Sequence, residues 1–414
     1  MNITVVAWGG QGDFIPCAAL ALGLQKAGHS VKFATHIEEQ EFIESLGLEC
    51  LPIDWEAAES PILINRQPFI TIIQNSDQIK LPKNSLLNEL WRVCQNTEAI
   101  IFNGPSYPCY YIAEKLNIPC FAVSPQPHHQ TIAFPHPFVT DGKSKGSIYN
   151  WLSYLVFDQI FWQYIRQPIN RWRQEKLQLP LLSFSEGLVG RMKREKIPFL
   201  YSYSSAFLPQ PADWDNDYIH VTGYWFLEPS KTWEAPQDLI DFLSTGEPPI
   251  YISNIWHQET LGTELVREIC QLTKQRIIVH GLDNDDSEIE ASEQIFYVQG
   301  FIAYEWLFPQ VSVAVHHGGC GTIHSCLRAG VPMVVIPYQS DNDQAFWSLQ
   351  IEKYGLGIAL LPEKETISAK KLASAIQKVI GDEQIQQRVK NIAKQVQLED
   401  GINKAIEVFN GYFK

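Results

Sequence analysis

Apolar residues in this chain fall in short blocks, separated by amphipathic stretches and by glycine- or proline-marked turns. Residues 3–8 form one such block, and it stops at Gly9-Gly10-Gln11-Gly12-Asp13. The pattern predicts a helix over 16–27 with Gly28 as its stop, a strand over 30–34 and a helix over 37–46. The same alternation predicts a strand at 99–102, a helix at 110–116 and a strand at 120–123. After a change of texture at 223–248, where Pro229, Pro236, Pro248 and Pro249 punctuate the chain, strands are predicted at 250–253, 276–280, 295–298, 311–315 and 333–336. Strand, turn, helix, strand in this order builds a parallel, doubly wound α/β sheet, and the order occurs twice. The expected organisation is an N-terminal domain over 1–222, a linker over 223–248, a C-terminal domain over 249–386, and closing helices over 387–414.

One stretch breaks the rhythm. Residues 147–173 carry Tyr149, Trp151, Tyr154, Phe157, Phe161, Trp162, Tyr164 and Trp172, interrupted by Asp158 and Arg166. That reads as an amphipathic helix. Its apolar side either packs on its own domain or forms a lip for an apolar acceptor or a membrane surface. No apolar run reaches the roughly 20 residues that span a bilayer.

Composition narrows the classes. The chain has 414 residues, long enough for two domains. Its net charge of −14 and its lack of a Lys/Arg cluster speak against a nucleic-acid partner. An anionic ligand must then be held by local donors. The eight cysteines contain no C-x-x-C pair, which disfavours zinc and fits reduced thiols in a cytosol. The N-terminus reads directly as a strand, with no signal-peptide pattern. The expected location is cytoplasmic, with peripheral membrane contact as a further reading.

The strongest chemical signal is Val315-His316-His317-Gly318-Gly319-Cys320-Gly321-Thr322. A buried strand runs into a glycine-rich turn where a helix begins, so free backbone N–H groups and the helix dipole make an anion site. Thr322 offers a hydroxyl and His317 a ring N–H, so a diphosphate fits here without a metal. The alternative is a plain tight turn with core-facing histidines.

This segment, followed by Leu327-Arg328-Ala329-Gly330-Val331-Pro332, resembles the nucleotide-diphosphate signature of the UDP-glycosyltransferase superfamily. It is most similar to the branch of sterol glucosyltransferases and of glycopeptide- and macrolide-antibiotic glycosyltransferases, which reads His-His-Gly-Gly-Ala-Gly-Thr-Thr. Further matches run along the chain: Gly12-Asp13, Phe134-Pro135-His136-Pro137, Ile169-Asn170-Arg171-Trp172, Thr222-Gly223-Tyr224-Trp225, Trp306-Leu307-Phe308-Pro309 and Glu399-Asp400-Gly401. The resemblance implies a GT-B fold: two Rossmann-like domains facing a cleft, the acceptor on the first and the donor on the second. It implies a final helix, over 402–413, that crosses back to the first domain. It also implies an inverting, metal-independent transfer of a hexose from UDP-glucose or a TDP-sugar to a sterol, lipid or natural-product hydroxyl. No cofactor is expected; the nucleotide sugar is a co-substrate.

Through the resemblance Asp13 becomes the candidate general base, the alternative being a cap for the helix that follows. The hydroxyl residue that the family carries three positions earlier is Gly10 here. His317, Gly318, Gly319, Gly321 and Thr322 become diphosphate ligands, and Phe301 and Ile302 fall near the nucleobase. Asp343 and Gln344, preceding Phe346-Trp347, are the candidate sugar ligands, while counting forward from Pro337 selects Asp341 instead. Gly12, His128, His129 and Phe134 fall in the acceptor region. The main departure is Ser253-Asn254-Ile255-Trp256, where the family reads Gly-Phe-Gly-Ser. Trp256 then replaces a small hydroxyl residue, so either the donor sits differently or transfer is impaired. Tyr304 stands where the branch usually has His. Asp-x-Asp triplets at 213–215, 283–285 and 341–343 reflect an acidic composition rather than a metal site. A nicotinamide-binding pattern fails because Ile15 occupies its third small position. A sugar epimerase on the same fold is disfavoured by the acceptor-domain matches.

Overall fold

The computed structural model describes residues 1–54, 84–138, 144–228, 233–253, 263–281, 293–338, 342–361 and 367–413. Two compact units result: Met1–Glu228 together with Glu399–Lys414, and Pro229–Leu398.

The first unit holds a seven-stranded parallel sheet in the order β3-β2-β1-β4-β5-β6-β7. Its strands are β1 (Asn2–Val6), β2 (Ser30–His36), β3 (Glu49–Ile53), β4 (Ala99–Asn103), β5 (Cys120–Ser124), β6 (Phe199–Tyr201) and β7 (Ile219–Val221). Its helices are α1 (Gln11–Lys26), α2 (Gln40–Ser45), α3 (Asn84–Val93), α4 (Cys109–Leu116), α5 (Ser147–Trp172) and α6 (Leu188–Arg194). β1, after its exposed first residue, and β4 are buried on both faces, as the centre of a parallel sheet requires. Val5, Phe33, Ile101 and Phe121 form the core with Phe14, Leu20 and Leu24 of α1. Helix α1 starts earlier than its proline suggests: Pro16 lies inside it rather than at its start.

The second unit holds a six-stranded parallel sheet in the order β10-β9-β8-β11-β12-β13. Its strands are β8 (Ile250–Ser253), β9 (Ile277–His280), β10 (Ile295–Val298), β11 (Val313–His316), β12 (Met333–Val335) and β13 (Gly357–Ala359). Its helices are α7 (Gln237–Ser244), α8 (Thr263–Thr273), α9 (Tyr304–Leu307), α10 (Cys320–Ala329), α11 (Asp343–Lys353), α12 (Ala369–Gly381) and α13 (Glu383–Val396). Its core gathers Ile250, Val313 and Val334 with Val266, Leu372 and Ile376.

The last helix, α14 (Gly401–Gly411), belongs to the first unit. Ala405, Ile406 and Phe409 join its core, and Lys404 Nζ donates to the Val221 carbonyl at 2.9 Å. Asp400 caps the helix through Asn403 N at 3.1 Å. Glu399 Oε1 accepts from Ser204 Oγ at 3.0 Å and from Ala206 N at 3.2 Å.

Both sheets grow outward from one strand and then return to its other side. The order therefore reverses between β1 and β4 in one unit and between β8 and β11 in the other. The loops that leave the carboxyl ends of the two strands at such a reversal run to opposite faces of the sheet, and the crevice between them is where doubly wound folds bind ligands.

Candidate functional site

The loop after β1 delivers Asp13 to the first reversal point. Asp13 is the third residue of α1, and its Oδ2 accepts from Gly10 N at 3.1 Å. The capping alternative is therefore realised in geometry, on one carboxylate oxygen. Gly9 has φ +127°, and a Cβ there would stand 2.8 Å from Asp13 Oδ2. The glycine makes room for the carboxylate. Gly12 lies half-buried in the same turn. Opposite it, Asn103 Nδ2 donates to the Trp8 carbonyl at 2.7 Å and Ser106 Oγ to the Val6 carbonyl at 2.6 Å. These side chains satisfy carbonyls at the end of β1 and just past it.

Above the same sheet edge lies an aromatic cluster. His136 stacks on Phe157 at 4.0 Å between ring centroids and meets Tyr154 edge-on at 4.9 Å. His128 lies parallel to Phe138 at 5.8 Å. Tyr201 Oη accepts from the backbone N–H groups of His128 and His129 and has one proton left, which it gives to His129 Nδ1 at 2.7 Å. Burial pushes the His129 pKa down to about 3 and that of His128 to about 4. Both fall, as expected, in the loop after β5, where the structure buries His129 and engages its Nδ1. The reason is the aromatic wall of Phe199, Tyr201 and Trp214 around it. Phe134 is also buried, edge-on to Trp214.

In the second unit β11 ends at His316 and α10 begins at Cys320. Gly319 is the N-cap, no side chain caps the helix, and its first turn contains no acidic residue. Gly318 has φ +92°; a Cβ there would stand 2.8 Å from Val335 Cγ1 and 3.1 Å from the Gln344 carbonyl oxygen. Only glycine lets the turn close against α11. The histidines divide in role. His316 is fully buried, accepts from Gly318 N at 3.0 Å on Nδ1, and is held neutral by burial, its pKa pushed down to about 3. His324 is likewise buried and shifted to about 4, with Nδ1 2.8 Å from the Cys320 carbonyl. His317 alone stays partly exposed at the turn, stacked on Tyr338 at 4.8 Å.

Helix α11 brings the remaining candidates to this turn. Asn342 is its N-cap, Oδ1 accepting from Ala345 N at 3.0 Å, and Asp343 is its first residue. Gln344 Oε1 accepts from Tyr338 N at 3.0 Å, which ties the loop carrying Tyr338 to the helix. Thr322, in the first turn of α10, is buried. Ile302 is buried, whereas Phe301 is 69% exposed. Ser253 closes β8 and is buried; Asn254, Trp256 and Asp341 lie outside the described residues.

Sequence reasoning passed over a polar chain beside the turn. His280 Nε2 donates to the Gly300 carbonyl at 2.8 Å, and burial keeps the ring neutral, so Nδ1 must accept from Tyr251 Oη at 2.7 Å. Tyr251 Oη in turn lies 3.2 Å from Tyr304 Oη. The available signal was a polar residue ending an otherwise apolar strand, as at Asn103, Ser253 and His280. Among the described residues, no three His, Cys, Asp or Glu side chains are grouped to hold a metal ion.

Known proteins match both halves. Residues 3–135 match the glycosyltransferase family 28 N-terminal domain, and residues 264–400 match the erythromycin biosynthesis protein CIII-like C-terminal domain. The sterol 3-beta-glucosyltransferase of Candida albicans is 34% identical over 432 residues, covering 98% of this chain and 27% of that protein. That of Sclerotinia sclerotiorum is 32% identical over 427 residues, covering 98% and 29%. The chain thus spans less than a third of the length of these curated relatives. Among solved structures, the kitacinnamycin glycotransferase superposes with a TM-score of 0.71 at 17% identity, over 99% of this chain and 98% of that one. The calicheamicin glycosyltransferase CalG4 gives 0.68 at 14% identity, over 99% and 98%.

Proposed function

The chain belongs to the GT-B-fold glycosyltransferases, related to the sterol glucosyltransferase and antibiotic glycosyltransferase branch, and on that premise we propose that it transfers a hexose from a nucleotide-diphosphate sugar to a hydroxyl of an apolar acceptor. The donor is UDP-glucose or a TDP-sugar, and the acceptor a sterol, lipid or natural-product aglycone. The observation that carries this reading is the start of α10, with Gly319 as cap and neither a capping side chain nor an acid to compete with a ligand's phosphates. His317, Gly318, Gly319, Gly321 and Thr322 hold the diphosphate in this proposal. The backbone N–H groups and the helix dipole stabilise the charge that develops as the nucleoside diphosphate leaves. Asp343 and Gln344 hold sugar hydroxyls, and Phe301 and Ile302 flank the base.

Displacement is direct and inverts the anomeric carbon. Asp13 takes the proton of the acceptor hydroxyl as oxygen attacks. Its bond from Gly10 N fixes one carboxylate oxygen and so aims the other. His129 is a poor substitute base, since its Nδ1 accepts from Tyr201 and its pKa lies far below neutrality. No metal is required by this residue set. The eight free cysteines fit a reducing, cytoplasmic setting.

The test is isothermal titration with UDP and TDP, followed by a donor-by-acceptor screen read by mass spectrometry. Nucleotide binding with glycosylated product on an apolar acceptor is expected. No nucleotide binding at millimolar ligand sinks the proposal. Binding without transfer to any acceptor favours the second reading, a homologue that binds without efficient transfer; the replacement of Gly-Phe-Gly-Ser by Ser253-Asn254-Ile255-Trp256 is what keeps it.

A further inference from the structure

Helix α5 has two apolar faces. The inner one carries Tyr154, Phe157 and Phe161 against His136 and Tyr107, in the proposed acceptor region. The outer one carries Ile148, Trp151, Leu152, Leu155 and Val156, between 39 and 78% exposed. Their spacing places all five on one stripe about 13 Å long. An exposed contiguous apolar stripe on a stable helix marks an interaction surface.

Charge selects the occupant. The chain has 46 acidic residues, yet α5 carries only Asp158. That carboxylate is turned inward, accepting from Leu188 N, Val189 N and Gly190 N at 2.9 to 3.1 Å. Among the described residues, α5 itself therefore presents no carboxylate on its outer face. Cations flank it instead: Lys145 over the Tyr149 ring at 5.1 Å, and Arg166 over the Phe184 ring at 5.5 Å. Apolar side chains in the middle, an amphipathic Trp and flanking long cations match the depth profile of a bilayer interface. A second copy of this acidic chain has no such match.

We propose that the outer face of α5 docks on a lipid bilayer, seating Ile148, Trp151, Leu152, Leu155 and Val156 among the acyl-chain tops. The proposal stands on the stripe and its charge; its use, delivering an apolar acceptor past the inner face of the same helix, rests on the transferase reading. Among the described residues no helix is long and apolar enough to cross a membrane, so the contact is peripheral.

The test is co-sedimentation of the full chain with phosphatidylcholine vesicles, with and without one part in about five of phosphatidylglycerol, alongside UDP titration. The wild type should sediment with vesicles, more tightly when phosphatidylglycerol is present. Leu152→Glu with Leu155→Glu should weaken vesicle binding about tenfold or more while leaving UDP affinity and the melting curve unchanged. Ile148→Glu, at the most exposed position, repeats the test with less risk to folding. A wild type that stays in the supernatant with both vesicle types overturns the proposal, as does a double variant that binds as well as wild type. Self-association in light scattering that the double variant abolishes, without vesicle binding, assigns the stripe to a second copy and also overturns it. Vesicle binding without UDP binding sinks the transferase reading alone.

Discussion

The loop after β1 and the loop after β11 each lie at the strand-order reversal of their own sheet, β1 being the strand the sheet grows from and β11 the strand across the reversal, and they are electrostatic opposites. Each is a glycine turn opening a helix at a strand-order reversal. In the first, the chain's own carboxylate, Asp13, sits in the positive first turn and accepts from Gly10 N. In the second, the first turn has no acid and no side-chain cap. One helix start is filled by a fixed negative charge; the other carries none, and in the proposed function it takes a negatively charged ligand. Under the proposed function, one kind of supersecondary unit supplies either a base or an anion site, according to the residue three places past the cap: Asp13 in one, Thr322 in the other.

The sharpest way to break this contrast is Asp13→Asn. The amide oxygen can still accept from Gly10 N, so the fold should lose no more than about 1 kcal/mol. Turnover should fall about 10²- to 10⁴-fold with UDP affinity nearly unchanged. Equal losses in both, by steady-state kinetics and titration, contradict the role as base.

The conformational glycines come next. Gly9→Ala forces a Cβ against Asp13 Oδ2 at positive φ, displacing the carboxylate. A shift of that size should cost turnover about 10²-fold. Gly318→Ala meets Val335 and the Gln344 carbonyl instead. It should destabilise the second unit by about 1–3 kcal/mol and weaken UDP binding about tenfold. If Gly9→Ala damages nucleotide affinity and Gly318→Ala does not, the assignment of the two turns is reversed.

Acidification should affect both units alike. His129 in the first unit and His316 and His324 in the second have pKa values lowered by burial to about 3, 3 and 4. Unfolded imidazoles bind protons near pH 6.5, so below that pH the unfolded state binds more protons. Stability contributed by keeping these rings neutral is complete above about pH 6.5 and lost as pH falls toward 4, by up to about 1.4 kcal/mol per pH unit for each ring. The urea midpoint should fall from pH 7 to pH 5. A flat midpoint would show that the rings are accessible to protons in the native state.

How much of this was legible depends on what each residue signals locally. The turn at 318–321 was readable because a buried β-branched strand runs straight into glycines and then a helical pattern. The fold class followed from the same alternation. Strands β3, β6, β7 and β13 were not read: β3 mixes Glu49, Cys50 and Pro52 with its apolar residues, and the other three are only three residues long, whereas the equally short β12 sits in the longer apolar run 331–336. The start of α1 was misplaced because Pro16 reads as a first-turn proline, whereas the helix begins at Gln11 and tolerates one missing N–H. At the sites, sequence named Asp13 and His317 but not Tyr201, Tyr251 or Tyr338. Those tyrosines act through hydrogen bonds and stacking to residues distant along the chain, and no spacing rule encodes such contacts.

The smallest expected effect is also the cleanest check on the contrast. Gly10 neighbours Gly9 and faces the same carboxylate, but its φ is −68° and a Cβ there would stand 3.6 Å from Asp13 Oδ2, an ordinary contact. Alanine at 10 loses a few tenths of a kcal/mol as a poorer N-cap and regains a similar amount by restricting the unfolded chain. Its N–H still donates to Asp13. Gly10→Ala should therefore leave the melting temperature within about 2 °C of wild type and turnover within about twofold, beside the large loss at Gly9. Were the two neighbours to fall together, the loop would be sensitive to any added bulk, and the idea that Asp13 is held by one specific glycine and one specific N–H would fail.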